Sequence, residues 1–419
     1  MKKVLIMSVG MGRGIESALH QSIKLHNPHH IVFIATKTSE ATLDRTICGK
    51  KIRDIVENMC VTLEDGDDIV SSYGIIKKIV EDLLQEGHSP SEIYVDFTTG
   101  TKVMSAALAA VAVIYNLSSL TYISGRRDEN GRVISGTEKA VTLEPLKIVF
   151  DIKEKRDIPA YFNIYQFNTC LEILNEIKAY EKLFSYEELK LINEVENLII
   201  GFQEWDRFDH KQALRRLSEV KRYNLEKQIE FLDNLVAERI SLSEKFPELK
   251  GKIPTIHLIV DLFSNAERRA EEGNYDDGVA RLYRTIEMIG QFILFTKYNI
   301  NPGHVDIEKL KGKLSTDQID NYSRKRDEEG KIRLGLKEIF ELVVELDPAN
   351  QTSRLYLEVK DDLKKYLTFR NNSILAHGFE PIDKEKYEKL RQIVIEMMKK
   401  MILNLNEMLA NSKFIKIKL

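Results

Sequence analysis

The chain has 419 residues, 43% of them hydrophobic and 30% charged, with a formal net charge of -3 at pH 7. That length exceeds what a single core serves and predicts two or three domains, while the nearly balanced charge excludes a bulk basic surface for duplex nucleic acid and leaves room only for a local basic groove. Three cysteines, Cys48, Cys60 and Cys170, have no CxxC spacing and no histidine cluster beside them, which excludes a cysteine-based zinc site and points to a reducing, cytoplasmic setting.

The opening stretch "MKKVLIMSVG" carries a basic pair, but its apolar run is short and leads straight into glycines, so it reads as a buried first strand rather than a signal peptide. An amphipathic helix follows from about Gly14 to Leu25, then a second strand, "HIVFIAT", ending at Thr36. Residues 40–57 read as a charged amphipathic helix, "CVTLED" as a short third strand, and residues 69–85 as a helix with Ile76, Ile79, Val80 and Leu83 at helical spacing. "EIYVDF" is the fourth strand, residues 101–115 an alanine-rich crossover helix, and "LSSLTYIS" the fifth strand. Strands separated by helices of these lengths predict an α/β fold, a doubly wound, mostly parallel Rossmann-like sheet. Asn130-Gly131 between two extended pieces predicts an added hairpin. No apolar run approaches 18 residues, so no membrane span is expected.

Open α/β sheets bind ligands beyond the carboxyl ends of their strands. The first strand ends in Gly10, Met11, Gly12 and Arg13, and the fourth in Thr98, Thr99, Gly100, Thr101 and Lys102, with Met104 and Ser105 in the helix that follows. Three hydroxyls at a helix start, a glycine permitting close backbone approach, and free N–H groups suit an anion. Lys102 in the first turn opposes the helix dipole, a conflict that a bound phosphate would remove; a capped helix with a solvent-facing lysine fits the same residues equally. The glycines near residue 10 are not in GxGxxG register, no carboxylate ends the second strand, and GxxxxGK is absent, which weighs against a nicotinamide-dependent oxidoreductase and a P-loop NTPase.

After Pro145 the strand signals fade. Residues 160–246 carry Leu, Glu and Lys at helical spacing, and Pro247, Gly251 and Pro254 predict a break at about 246–255. Beyond it, "AERRAEEGNYDDGVARLYRTIEMIGQFIL" reads as a helical hairpin turning at Gly273-Asn274, and further helices follow, with Pro381 in a loop. Within "FRNNSILAHG", Arg370 and His377 stand seven apart, a spacing that on a continuous helix turns about 700° and rises roughly 10 Å, placing both near one face. Histidine can exchange protons with a ribose hydroxyl or leaving oxygen, and arginine can hold a phosphodiester, with Asn371 orienting either. The pair is too far apart to act within one chain but converges if a two-fold axis joins two copies; a helix end and a surface arginine explain the same residues without chemistry.

Together the two halves resemble the CRISPR-associated ribonucleases that join a CARF domain to a HEPN domain. The resemblance is carried by "DFTTGTKVMSAALA" (96–109), "GVARLYRTIEMIGQ" (278–291) and "RNNSILAHG" (370–378), the last fitting the family pattern of Arg, a polar residue and a downstream His at its upper spacing. It implies a CARF-like sensing domain over residues 1–150, helical connecting residues 151–254 and a HEPN-like ribonuclease domain over 255–419. It also implies a homodimer that cuts single-stranded RNA with Arg370, Asn371 and His377, without metal or cofactor. The activator would be cyclic tetra-adenylate or cyclic hexa-adenylate, held by Gly10, Met11, Gly12, Arg13, Thr98 to Lys102 and Ser105, with slow degradation of that ring by the CARF-like domain as an additional activity. The competing reading is a non-enzymatic nucleotide sensor whose helical half binds a protein partner, which has no need of Arg370, Asn371 and His377 together. A nucleotide-dependent DNA nuclease predicts acidic metal ligands such as a PD-(D/E)xK cluster, and the second half offers no convincing one.

Overall fold

The computed structural model describes residues 2–11, 15–43, 57–129, 133–134, 136–246, 253–373 and 378–417. The chain divides into two compact units, Met1–Asp157 and Ile158–Leu419.

The first unit is built on strands β1 (Val4–Ser8), β2 (His30–Thr36), β3 (Glu57–Leu63), β4 (Ile93–Asp96), β5 (Ser119–Ser124) and β6 (Lys139–Leu143), arranged in the order β3-β2-β1-β4-β5-β6. β1 to β5 are parallel and β6 closes one edge antiparallel to β5. Helices α1 (Ile15–His26), α2 (Ile69–Gln85) and α3 (Lys102–Ile114) cross between strands, and α4 (Pro145–Ile152) follows β6. Alternation along β1 feeds two cores. Val4 and Ile6 pack with Val32, Ile34 and the apolar faces of α2 and α3, while Leu5 and Met7 pack with Ile31, Phe33 and α1 residues Leu19 and Ile23. A strand covered on both faces favours apolar residues, which is why Val4 to Met7 are buried, while the one polar residue of "VLIMS", Ser8, is buried with its hydroxyl bonded to Thr99. The expected doubly wound sheet is therefore present.

The hairpin expected near Asn130-Gly131 joins β5 to β6, and the antiparallel bridge between Arg127 and Val133 extends it; its tip at residues 130–132 lies outside the described residues. Of the helix expected over residues 40–57, residues 40–43 are helical and 44–56 fall outside.

The second unit is helical: α5 (Ile158–Phe162), α6 (Phe167–Lys178), α7 (Tyr186–Asp206), α8 (His210–Leu217), α9 (Glu226–Lys245), α10 (Ile256–Glu271), α11 (Tyr275–Tyr298), α12 (Thr316–Ser323), α13 (Leu336–Leu346), α14 (Gln351–Asn371), α15 (Lys384–Lys399) and α16 (Leu405–Asn411). α10 and α11 form the expected hairpin, turning at Gly273 with φ +80°. Two glycines of α11 let neighbours approach closely: a Cβ on Gly290 would stand 2.4 Å from Ile339 of α13, and one on Gly278 2.8 Å from Tyr387 of α15. An aromatic cluster of Phe162, Phe202, Trp205, Phe231 and Phe414 ties the C-terminal segment to α5, α7 and α9, with Phe414 4.8 Å from Phe202 and 5.0 Å from Trp205 between ring centres. No described helix is long and apolar enough to cross a membrane.

Candidate functional site

The strand order of the sheet reverses between β1 and β4, the position where doubly wound sheets open a crevice for ligands. The loops leaving these two strands are bound to each other. The Ser8 hydroxyl donates to the Thr99 carbonyl and the Thr99 hydroxyl donates to the Ser8 carbonyl, while the Gly10 N–H donates to Thr99 Oγ1 at 3.3 Å. The contact requires glycine on both sides. A Cβ on Gly10 would stand 2.6 Å from the Gly100 nitrogen, and one on Gly100, whose φ is +90°, 2.9 Å from Ser8 Cβ.

The hydroxyls expected to face a ligand are largely committed to the protein. Thr99 is buried and spends its proton on Ser8. Thr101 caps α3 by accepting from the Met104 N–H at 3.1 Å and donates its own proton to the Gly66 carbonyl. Ser105 donates to the carbonyls of Phe97 and Thr101, at 3.0 and 3.1 Å. Thr98 is committed as well: its Oγ1 accepts from the Ile123 N–H at 2.8 Å and its hydroxyl also hydrogen-bonds the Asp96 carboxylate. Beneath the turn, Asp96 is 1% exposed and accepts from the Thr98 N–H at 2.7 Å. Burial raises its pKa, opposed by the hydrogen bonds of Ser22 and Thr98.

Lys102 is exposed and makes no ion pair among the described residues. Met104, suggested by its position as reaching a ligand, is instead fully buried in the core against α2 and the sheet, because the capped first turn of α3 points it inward. Met11 is 65% exposed at the tip of the β1 loop, and the expected contributions of Gly12 and Arg13 lie outside the described residues. The sequence reading passed over the acidic loop after β3, Glu64 to Asp68. The Thr101 bond to Gly66 brings that loop to the start of α3, and a Cβ on Gly66 would stand 2.8 Å from Thr36 Cγ2. Asp68 is spent capping α2, accepting from the N–H groups of Val70 at 2.9 Å and Ser71 at 3.1 Å.

In the second unit, Arg370 occupies the last turn of α14, where a cation is favoured by the helix dipole. Its guanidinium carbon lies over the ring of Tyr283, from α11, 4.9 Å from the centroid, and Nη1 donates to Asn371 Oδ1 at 3.1 Å. It has no carboxylate partner among the described residues, unlike Arg268, Arg269, Arg281, Arg284 and Arg391 of the same unit. The continuous helix expected to carry Arg370 on towards His377 is not formed. α14 ends at Asn371, where Asn371, Asn372 and Ser373 offer side chains that compete with helical backbone bonds. The chain then folds back: the Gly378 N–H donates to the Ser373 carbonyl at 3.1 Å and the Glu380 N–H to the Asn372 carbonyl at 3.2 Å. The Ile382 N–H donates to Asp276 at the start of α11, at 3.1 Å. The returning loop is thus anchored to the helix that carries Tyr283. His377 itself lies outside the described residues.

Against known families, residues 150–246 match the Csm6 6H domain and residues 249–401 the Csm6 HEPN domain. The two matches abut and together cover more than half of the chain. The chain belongs to the Csm6 family of CRISPR-associated ribonucleases. Its α14–α15 segment, with Arg370, falls inside the HEPN match, so the helical unit of this Csm6 protein holds the endoribonuclease domain. No curated protein sequence matches the chain. Among solved structures, Enterococcus italicus Csm6 bound to cyclic hexa-2′-fluoro-hexa-dAMP aligns with 98% of this chain and 98% of its own, at 15% identity and a TM-score of 0.48.

Proposed function

We propose that this Csm6 protein is a single-stranded-RNA endoribonuclease switched on by a cyclic oligoadenylate. In this reading the domain over residues 1–150 senses the ring, residues 151–254 connect, and residues 255–419 cut. Arg370 carries the assignment: it is a guanidinium held on an aromatic face with no carboxylate to neutralise it among the described residues, at the end of a helix in the HEPN segment. Such a group can hold a phosphodiester and stabilise the charge that develops on it. His377, seven residues on, would move the proton of the attacking ribose 2′-hydroxyl or of the leaving oxygen, and Asn371 would orient the arginine to which it is bonded. A two-fold axis bringing two copies together would bring the groups of both chains to one cleft, which makes the homodimer the active unit. No metal is needed when the nucleophile belongs to the RNA.

The sensing site is assigned to the β1 and β4 loops, with Lys102 and the N–H groups at the start of α3 ahead of Met104 as the anion-binding set. The ring must bind the active state more tightly than the resting one, or it cannot activate. The test is cleavage of a labelled single-stranded RNA in EDTA, with cyclic tetra- and hexa-adenylate. Arg370→Ala and His377→Ala are each expected to lose most of the turnover and to keep activator binding, and products should end in a 2′,3′-cyclic phosphate. Lys102→Ala should raise the activator concentration that gives half-maximal cleavage. Cleavage that stops in EDTA, or 3′-hydroxyl ends, would overturn this mechanism.

A further inference from the structure

Arg370 lies against an aromatic ring and bonds the Asn371 amide, with no carboxylate partner among the described residues, where Arg268, Arg269, Arg281, Arg284 and Arg391 of the helical unit each pair with a carboxylate, and the difference has chemical consequences. A carboxylate would occupy the in-plane N–H fork and cancel the charge. A ring meets the guanidinium on its flat face and leaves the in-plane donors and the charge available. The acid of α11 nearest Tyr283 in sequence on the C-terminal side, Glu287, is withdrawn from competition. Its Oε2 pairs with Arg284 at 2.7 Å and its Oε1 accepts from Gln291 at 3.3 Å. Asp277, one and a half turns before Tyr283, is likewise paired with Arg281 at 2.7 Å. Tyr283 is half-buried, and no hydrogen bond holds its hydroxyl among the described residues.

We infer that Tyr283 is a positioning residue for the RNA-cleaving reaction, its ring holding the Arg370 guanidinium while leaving the N–H donors not bonded to Asn371 for the scissile phosphodiester. The inference rests on the assignment of Arg370 to catalysis. Because the developing charge of the transition state is what the oriented guanidinium meets, loss of the ring should appear in kcat, with KM for RNA nearly unchanged. Cation–π contacts of this kind correspond to roughly two- to thirty-fold in rate. The hydroxyl is dispensable, so Tyr283→Phe should keep most of the turnover and Tyr283→Leu should lose it within that range.

The deciding experiment replaces residue 283 with phenylalanine carrying one, two and three ring fluorines, in the full-length protein saturated with its cyclic oligoadenylate. Each fluorine drains the negative face of the ring with little change of shape, so a merely structural ring would be indifferent to the series. A stepwise fall of kcat with fluorine number is expected. A flat kcat, or a series in which only KM moves, overturns the inference, and this holds even if Tyr283→Leu fails to fold. Arg370→Ala is run beside the series. An Arg370→Ala protein as active as the wild type would refute the assignment of Arg370, whereas an inactive one beside a flat series would refute the role of Tyr283 alone.

Discussion

Asp206, at the C-terminal end of α7, holds together the helices on either side of the boundary between the two family matches, and its removal gives a sharp test of how the helical unit is stabilised. Its Oδ1 accepts from Arg268 Nε at 2.8 Å and from Asn265 Nδ2 at 2.9 Å, and its Oδ2 from Arg269 Nη2 at 2.8 Å. Arg268 is 3% exposed, stacks over Phe414 at 3.9 Å and makes no other hydrogen bond among the described residues; the next carboxylate, Asp261, stands 4.0 Å away. In Asp206→Ala this charge stays buried with its one hydrogen-bonded partner gone. Two unit charges about 4 Å apart at an effective dielectric of about 20 interact by about 4 kcal/mol, within the roughly 3–5 kcal/mol found when one member of a buried pair is removed. The single tryptophan, Trp205, adjoins the site and donates to Asp261 at 2.8 Å, so its fluorescence reports the local transition. The midpoint in urea should fall by about 1–2 M. Adding Arg268→Met to Asp206→Ala removes the stranded charge and should recover part of the loss. A single variant within about 0.5 kcal/mol of wild type, as for an ordinary surface change, would refute the reasoning.

Gly100→Ala forces φ +90° on an L-residue and drives a Cβ against Ser8, at a cost of about 1–3 kcal/mol; activator-stimulated cleavage should be lost while the Trp205 transition keeps its wild-type midpoint. His26, buried beside Lys3 and sharing a 3.0 Å hydrogen bond with Thr121, has its pKa lowered from 6.5 to about 4, chiefly by desolvation. The unfolded chain therefore takes up the proton first, so this contribution to stability is full above pH 6.5 and drains as the pH falls towards 4. Hydrogen exchange of β1 and α1 should show that loss in the wild type, and His26→Gln should flatten it.

The α/β unit was legible because burial on both faces of a parallel sheet leaves a plain trace. "VLIM" and "IVFIA" are continuous apolar runs, and α2 repeats its buried positions, Ile76, Ile79, Val80 and Leu83, at helical spacing. The strand order is not written in any local pattern. It follows from which crossovers pack on which face, so the reversal between β1 and β4 that creates the crevice becomes visible only in the folded sheet. The helical hairpin was legible through Gly273, whose positive φ ends α10. The aromatic cluster was not, because Phe414 meets Trp205 across a separation in sequence that no periodicity spans.

The two candidate sites show where residue type stops informing. Thr98, Thr99 and Thr101 look alike in sequence, but a hydroxyl has a single proton, and its use is decided by the nearest carbonyl. Thr99 gives its proton to Ser8 and Thr101 to Gly66, and Thr98 accepts from Ile123 and bonds Asp96, so all three organise the turn. The same limit applies to Arg370. Its type and its distance from His377 are in the sequence, but the helical geometry read into that distance fails where α14 ends at Asn371. What gives the arginine its chemical character is Tyr283, a position that in sequence is one more apolar point on the face of α11. A guanidinium becomes a phosphate ligand or half of a structural ion pair according to what lies against it, and here that is an aromatic face, with Asp277 and Glu287 both paired elsewhere.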